Sequence, residues 1–136
     1  MTKMSSEFLV LSRGKWDANA TPEDIQKAID RFYTWHDQMV SEGRMEAGQR
    51  LACEGKLVLR DRITDGPFAE GKEVVGGYWF IHATTLEEAA ELMTENPCLA
   101  YGLSFEIRPL EKQRASAFAV TNETPDVARG EQPQGA

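Results

Sequence analysis

The sequence predicts an α+β fold: a ferredoxin-like split βαβ, with two helices on one face of an antiparallel sheet. Three observations lead there. The segments read in the order β-α-β-β-β-α-β. The two helical segments, opening near Thr21 and Thr85, are separated by strands instead of lying next to each other. The strands carry apolar side chains on both faces, more than two helices on one side can cover. A face-to-face homodimer is therefore expected to shield the second face.

Each element has its own local reason. Glu7 to Arg13 reads as a strand with Phe8 and Val10 on one side and Leu9 and Leu11 on the other. Gly14 to Ala20 is a loop. Thr21-Pro22-Glu23-Asp24 opens the first helix, with Thr21 as cap, Pro22 at the first helical position and acids at the positive end. Ile25, Ile29, Phe32, His36, Met39 and Val40 follow at helical spacing, and Gly43 stops the helix. Arg44 to Cys53 and Lys56 to Ile63 read as strands joined at Glu54-Gly55, which predicts a hairpin. Val74 to Ala83, rich in β-branched and aromatic residues, is the strongest strand.

Thr85 and Glu88 have the spacing of a capping box at the start of the second helix. Its apolar stripe is Leu86, Ala89, Ala90 and Met93, and Asn96-Pro97 ends it. Leu103 to Pro109 is the last strand, with Leu103, Phe105 and Ile107 inward. The face left for the partner copy is expected to hold Phe8 or Leu9, Tyr78 or Trp79, Phe80 or Ile81, and Phe105. Residues 1–110 form the domain. Residues 111–136, rich in Ala, Thr, Pro, Gly and Glu, form a polar tail expected to be mobile or draped over the partner.

At 136 residues the chain is one domain, and 41% hydrophobic with 27% charged residues is ordinary for a globular protein. A net charge of −7 argues against a direct nucleic-acid surface, which needs clustered Lys and Arg. Cys53 and Cys98 are isolated and have no metal-type spacing. The start lacks the apolar run of a secretory signal, and no segment has the ~20 apolar residues of a membrane span. A reducing, cytoplasmic setting without a membrane partner is expected.

The most distinctive stretch is Thr64-Asp65-Gly66-Pro67-Phe68-Ala69-Glu70, followed by Lys72-Glu73 and then Gly76-Gly77-Tyr78-Trp79. With Ser41-Glu42-Gly43, Leu86-Glu87-Glu88-Ala89 and Glu106-Ile107-Arg108-Pro109, it resembles the DGPF branch of the YCII-related domain family. The resemblance covers about Glu7 to Leu110 and implies a ferredoxin-like dimer of the dimeric α/β-barrel type. It also implies a cleft with a His and an Asp, and an association of some relatives with sigma factors. A few remote relatives act on muconolactone-type ring compounds. The chain departs from the pattern at Asn96, where an acid is common before the proline. It departs again at Gly48-Gln49-Arg50-Leu51, which lacks the usual acid, and at His36, which sits later on its helix than the family histidine.

The candidate catalytic residues are Asp65, His36, Glu70 and Tyr78. Asp65 either forms the turn or turns its carboxylate to a ligand. Glu70 with Glu73 is either an acid–base pair or a solvated loop. His36 titrates in the right range for a general base but lies on an apolar helix face. Tyr78 can lend a hydroxyl. The candidate ligand-binding residues are Gly66, Phe68, Gly77 and Trp35, since the glycines leave room beside the backbone and the aromatics can line a cleft. Trp16 is a further aromatic of this kind. Arg50, Arg60, Arg62 and Arg108 have the forked donors that recognise anions, and scattered surface pairing is their alternative. No metal site is expected, because no His/Cys/acid cluster stands at ligand spacing, and no cofactor is expected.

Three functions fit this pattern. One is a small-molecule-binding protein or cofactor-independent acid–base enzyme with its cleft between sheet and helices. Another is a regulatory module that works with a sigma factor. The last is a non-catalytic dimeric scaffold.

Overall fold

A computed structural model describes residues 5–66 and 74–126. Phe68, Glu70 and Glu73 lie outside the described residues. Four strands form one antiparallel sheet: β1 (Ser6–Arg13), β2 (Met45–Arg50), β5 (Val75–Ala83) and β6 (Ser104–Pro109), in the order β2-β5-β1-β6. Helices α1 (Pro22–Ser41) and α2 (Leu86–Met93) cover one face. This is the expected split-βαβ topology, in which the two central strands, β1 and β5, carry the core.

The predicted hairpin between the second and third strands does not form. β2 pairs with β5 instead, and β3 (Lys56–Val58) pairs with β4 (Ile63–Asp65) in a separate two-stranded hairpin. Glu54-Gly55 therefore leads out of the sheet and is not a turn within it. The bond from Leu51 N–H to the Gly76 carbonyl, 2.9 Å, closes the base of this excursion. Gly48 is what lets β2 lie against β5. The ladder is irregular between Glu46 and Gln49, and a Cβ on Gly48 would fall 1.7 Å from the Tyr78 carbonyl oxygen.

The helix starts follow from their caps. Thr21 Oγ1 accepts from Asp24 N–H at 3.1 Å, and Thr85 Oγ1 accepts from Glu88 N–H at 3.0 Å. Gly43 takes a left-handed φ of 74° beyond the end of α1. The buried stripe of α1 is Ala28, Phe32, His36 and Met39; Val40 is exposed. In α2 the buried residues are Ala89, Leu92 and Met93, so Leu92 takes the place expected of Leu86 and Ala90. After α2, Asn96 caps a short helical turn, Pro97–Tyr101, by accepting from Cys98 N–H at 2.9 Å.

The core lies between helices and sheet. Phe8 and Val10 of β1 and Trp79 and Ile81 of β5 point into it, and Val10 and Ile81 are fully buried. Phe32 meets Trp79 edge-on at 5.3 Å; burying such a ring is worth roughly 1.5–3 kcal/mol. Phe105 and Ile107 pair with Ser12 and Val10, so they also pack on the helix side. Phe105 thus does not belong to the opposite face. That face holds Leu9, Leu11, Tyr78 and Phe80, each only partly buried, with Tyr78 and Phe80 in edge contact at 6.0 Å. Among the described residues no helix is long and apolar enough to cross a membrane.

Candidate functional site

A cavity of about 440 Å³ opens between α1 and the sheet, at the end where β1 finishes and β5 begins. A β-bulge shapes it. Ser12 pairs with Gly77 but Arg13 pairs with Val75, which leaves Gly76 as the extra residue. Gly76 and Ser12 both line the cavity, and the Ser12 hydroxyl lies 3.5 Å from where a Gly76 Cβ would stand. The loop after β1 brings Lys15 and Trp16 to the rim. That loop is tied down by Gly14 N–H to the Val74 carbonyl, 3.1 Å, and Asp17 N–H to the Tyr101 carbonyl, 2.8 Å.

The walls are apolar and largely aromatic. Phe32 and Tyr33 come from α1, Trp79 from β5, and Leu103 and Phe105 from the last strand and its approach. Arg50 reaches the cavity from the end of β2. It stands opposite Gly77 in the ladder, where no side chain blocks its way. Cys98 closes another wall. It is buried, and desolvation pushes its thiol up to about 11, against a smaller opposing pull from Arg50 and Arg31. Among the described lining residues there is no carboxylate and no imidazole. Lys15, Arg50 and the Ser12 hydroxyl supply polar contacts, and the protonated Cys98 thiol is not poised for nucleophilic work.

None of the described candidate catalytic and ligand-binding residues, His36, Tyr78, Asp65, Gly66, Trp35 and Gly77, lines this cavity. His36 is buried on α1, its ring tilted against Phe32 at 5.5 Å, with Nδ1 against Asp37 Oδ1 at 3.0 Å; its Nε2 has no hydrogen-bond partner among the described residues. Tyr78 lies on the opposite face of the sheet, so it cannot act with His36. Asp65 sits on the outlying hairpin, exposed and ion-paired with Lys56. Gly66 is bonded to Gly55 at the hairpin base, 2.6 Å. Trp35 is half-buried against the core, and its Nε1 has no hydrogen-bond partner among the described residues. Gly77 is buried beneath β2 and shapes the site only through the room it leaves. Glu70 and Phe68 are outside the described residues.

Of the four arginines weighed as anion binders, Arg108 is held by Glu106 at 3.1 Å and Arg62 lies 3.5 Å from Asp61. Only Arg50 lines the cavity. Lys15 went unnoticed in the sequence, since a single lysine after a strand has no pattern to mark it.

A second polar cluster lies on the open sheet face. Glu7, Glu46 and His82 come from three neighbouring strands, and their ligand-type atoms lie within 4.8 Å of one another. This corrects the expectation that no His/acid cluster exists; strand pairing, not sequence spacing, assembles it. His82 Nε2 lies 3.0 Å from Glu46 Oε2. A hydrogen bond to Glu46 raises Glu7 above the usual carboxylate range, and the same bond, with His82, lowers Glu46.

A ferredoxin-like α+β domain with a cavity walled by one helix and one end of its sheet is the class that this fold and site define. The chain belongs to the YCII-related domain family, whose model matches residues 7–112. No curated protein matches it.

Proposed function

We propose that this protein binds a small molecule in the cavity between α1 and the sheet. One observation carries the reading: an aromatic-walled space of about 440 Å³ in which a few polar groups, Ser12, Lys15 and Arg50, converge. Ligand sites in proteins have this size, roughly 300–1,000 Å³, and this mixture of apolar wall and sparse polar contacts. The working unit is a homodimer. Its support is the partly exposed row Leu9, Leu11, Tyr78 and Phe80 on the sheet face away from the helices.

The test is to fill the space. A Cβ on Gly76 makes only ordinary contacts, 3.5 Å and 3.9 Å, with Ser12. Gly76→Leu should therefore fold while occupying the cavity. A neutral solvatochromic dye such as Nile red is expected to brighten with the wild type and not with Gly76→Leu, at unchanged melting temperature. Equal brightening with both proteins would overturn the reading.

A further inference from the structure

We infer that the ligand is an anion on a flat apolar body: a ring carboxylate whose charge is held between Lys15 and Arg50. The inference deepens the proposed small-molecule binding and rests on it. The chain carries a net charge of −7, yet the described residues around this cavity include two cations and no acid. That local reversal of sign has no structural use, because neither Lys15 nor Arg50 has an ion-pair partner among the described residues. Of the other arginines of the sheet and hairpin, Arg13, Arg108 and Arg62 each lie beside an acid, and Arg60, without an ion-pair partner among the described residues, does not line the cavity.

The position of Arg50 is built into the fold. It closes β2 directly across from Gly77, over a strand position with no side chain. Its side chain is exposed, yet it lines the cavity together with the buried Cys98. A planar fork at the edge of an apolar space matches a carboxylate in two parallel bonds. Trp16, Phe32, Trp79 and Phe105 supply aromatic walls for the rest of the molecule. A polyanion such as a nucleotide would need more donors than these two side chains and one hydroxyl supply.

Titration calorimetry with naphthoate and its neutral isostere naphthamide tests this. The wild type is expected to bind naphthoate about tenfold tighter than naphthamide, the difference that one charge-assisted contact supplies. In the Lys15→Gln/Arg50→Gln double variant the two affinities should converge, the preference for naphthoate being lost. Both positions are exposed or at the rim, so folding is not at stake, and circular dichroism verifies it. Equal binding of both probes by the wild type, abolished by Gly76→Leu, would overturn the anion inference and leave the cavity reading standing. Binding of neither probe, or binding indifferent to Gly76→Leu, would overturn both.

Discussion

Arg50 lies directly across the β2–β5 ladder from Gly77, and the bare backbone there is what lets β2 close over the strand. A Cβ on Gly77 would stand 2.9 Å from the Gln49 carbonyl oxygen, 3.3 Å from the Arg50 Cα and 3.5 Å from the Trp79 ring. Gly77→Val is therefore expected to push β2 away and to cost about 1–3 kcal/mol, as overpacking does. Thermal denaturation should show the loss as a melting point lower by several degrees. An unchanged melting point would mean that β2 is not seated as described.

The two cysteines should behave differently toward a thiol reagent. Cys53 is exposed, whereas Cys98 is buried with its thiol raised to about 11. At about pH 8 only about one Cys98 in a thousand is thiolate. Ellman's reagent should count one fast thiol in the native protein and a second only on unfolding. Because the folded value lies above the unfolded one, the contribution of Cys98 to stability is intact below the ordinary thiol range. It is lost as pH climbs towards about 11. Two fast thiols would show that the cavity wall opens readily.

Glu7 and Glu46 make opposite contributions. The raised value of Glu7 favours the fold at acidic pH, an advantage lost as pH rises through that value; the lowered value of Glu46 favours the fold above the ordinary carboxylate range and is lost on acidification. Glu7→Gln keeps a hydrogen-bond donor towards Glu46 and removes the like charge. It should raise the melting temperature near neutral pH and leave it unchanged where Glu7 is already protonated. A loss of stability at neutral pH would show that the ionised pair is favourable.

The uncovered row Leu9, Leu11, Tyr78 and Phe80 predicts self-association. Sedimentation equilibrium should give a dimer for the wild type at micromolar concentration and a single chain for Phe80→Glu. A wild-type monomer with this face wet would remove the homodimer from the proposal.

The parts of the fold legible in sequence were those decided locally. Thr21 and Thr85 cap the helices they were expected to cap, and the alternation of β1 and β5 sorts Phe8, Val10, Trp79 and Ile81 to the core side. The hairpin was misread because Glu54-Gly55 is a turn signal without a statement of partner. Whether β2 pairs forward or with a distant strand depends on Gly48 meeting Tyr78, a long-range contact. The candidate site was legible only in fragments. Trp16 and Arg50 stood out by residue type, but their meeting with Ser12 and Lys15 needs the β1–β5 bulge at Gly76 and the strand order of the sheet. Tyr78 was grouped with His36 because nothing in a sequence says which face of a strand a helix will cover.

The excursion between β2 and β5 carries its own two-stranded hairpin, β3 and β4, and the sheet is rejoined at Val74 and Gly76, whose carbonyls accept from Gly14 N–H and Leu51 N–H. Such an insert is a detachable appendix: its length and composition can drift while β2, β5 and the walls of the cavity keep their places. A chain whose excursion is swapped for a short glycine linker should keep its ligand, which separates what this domain is from what has been added to it.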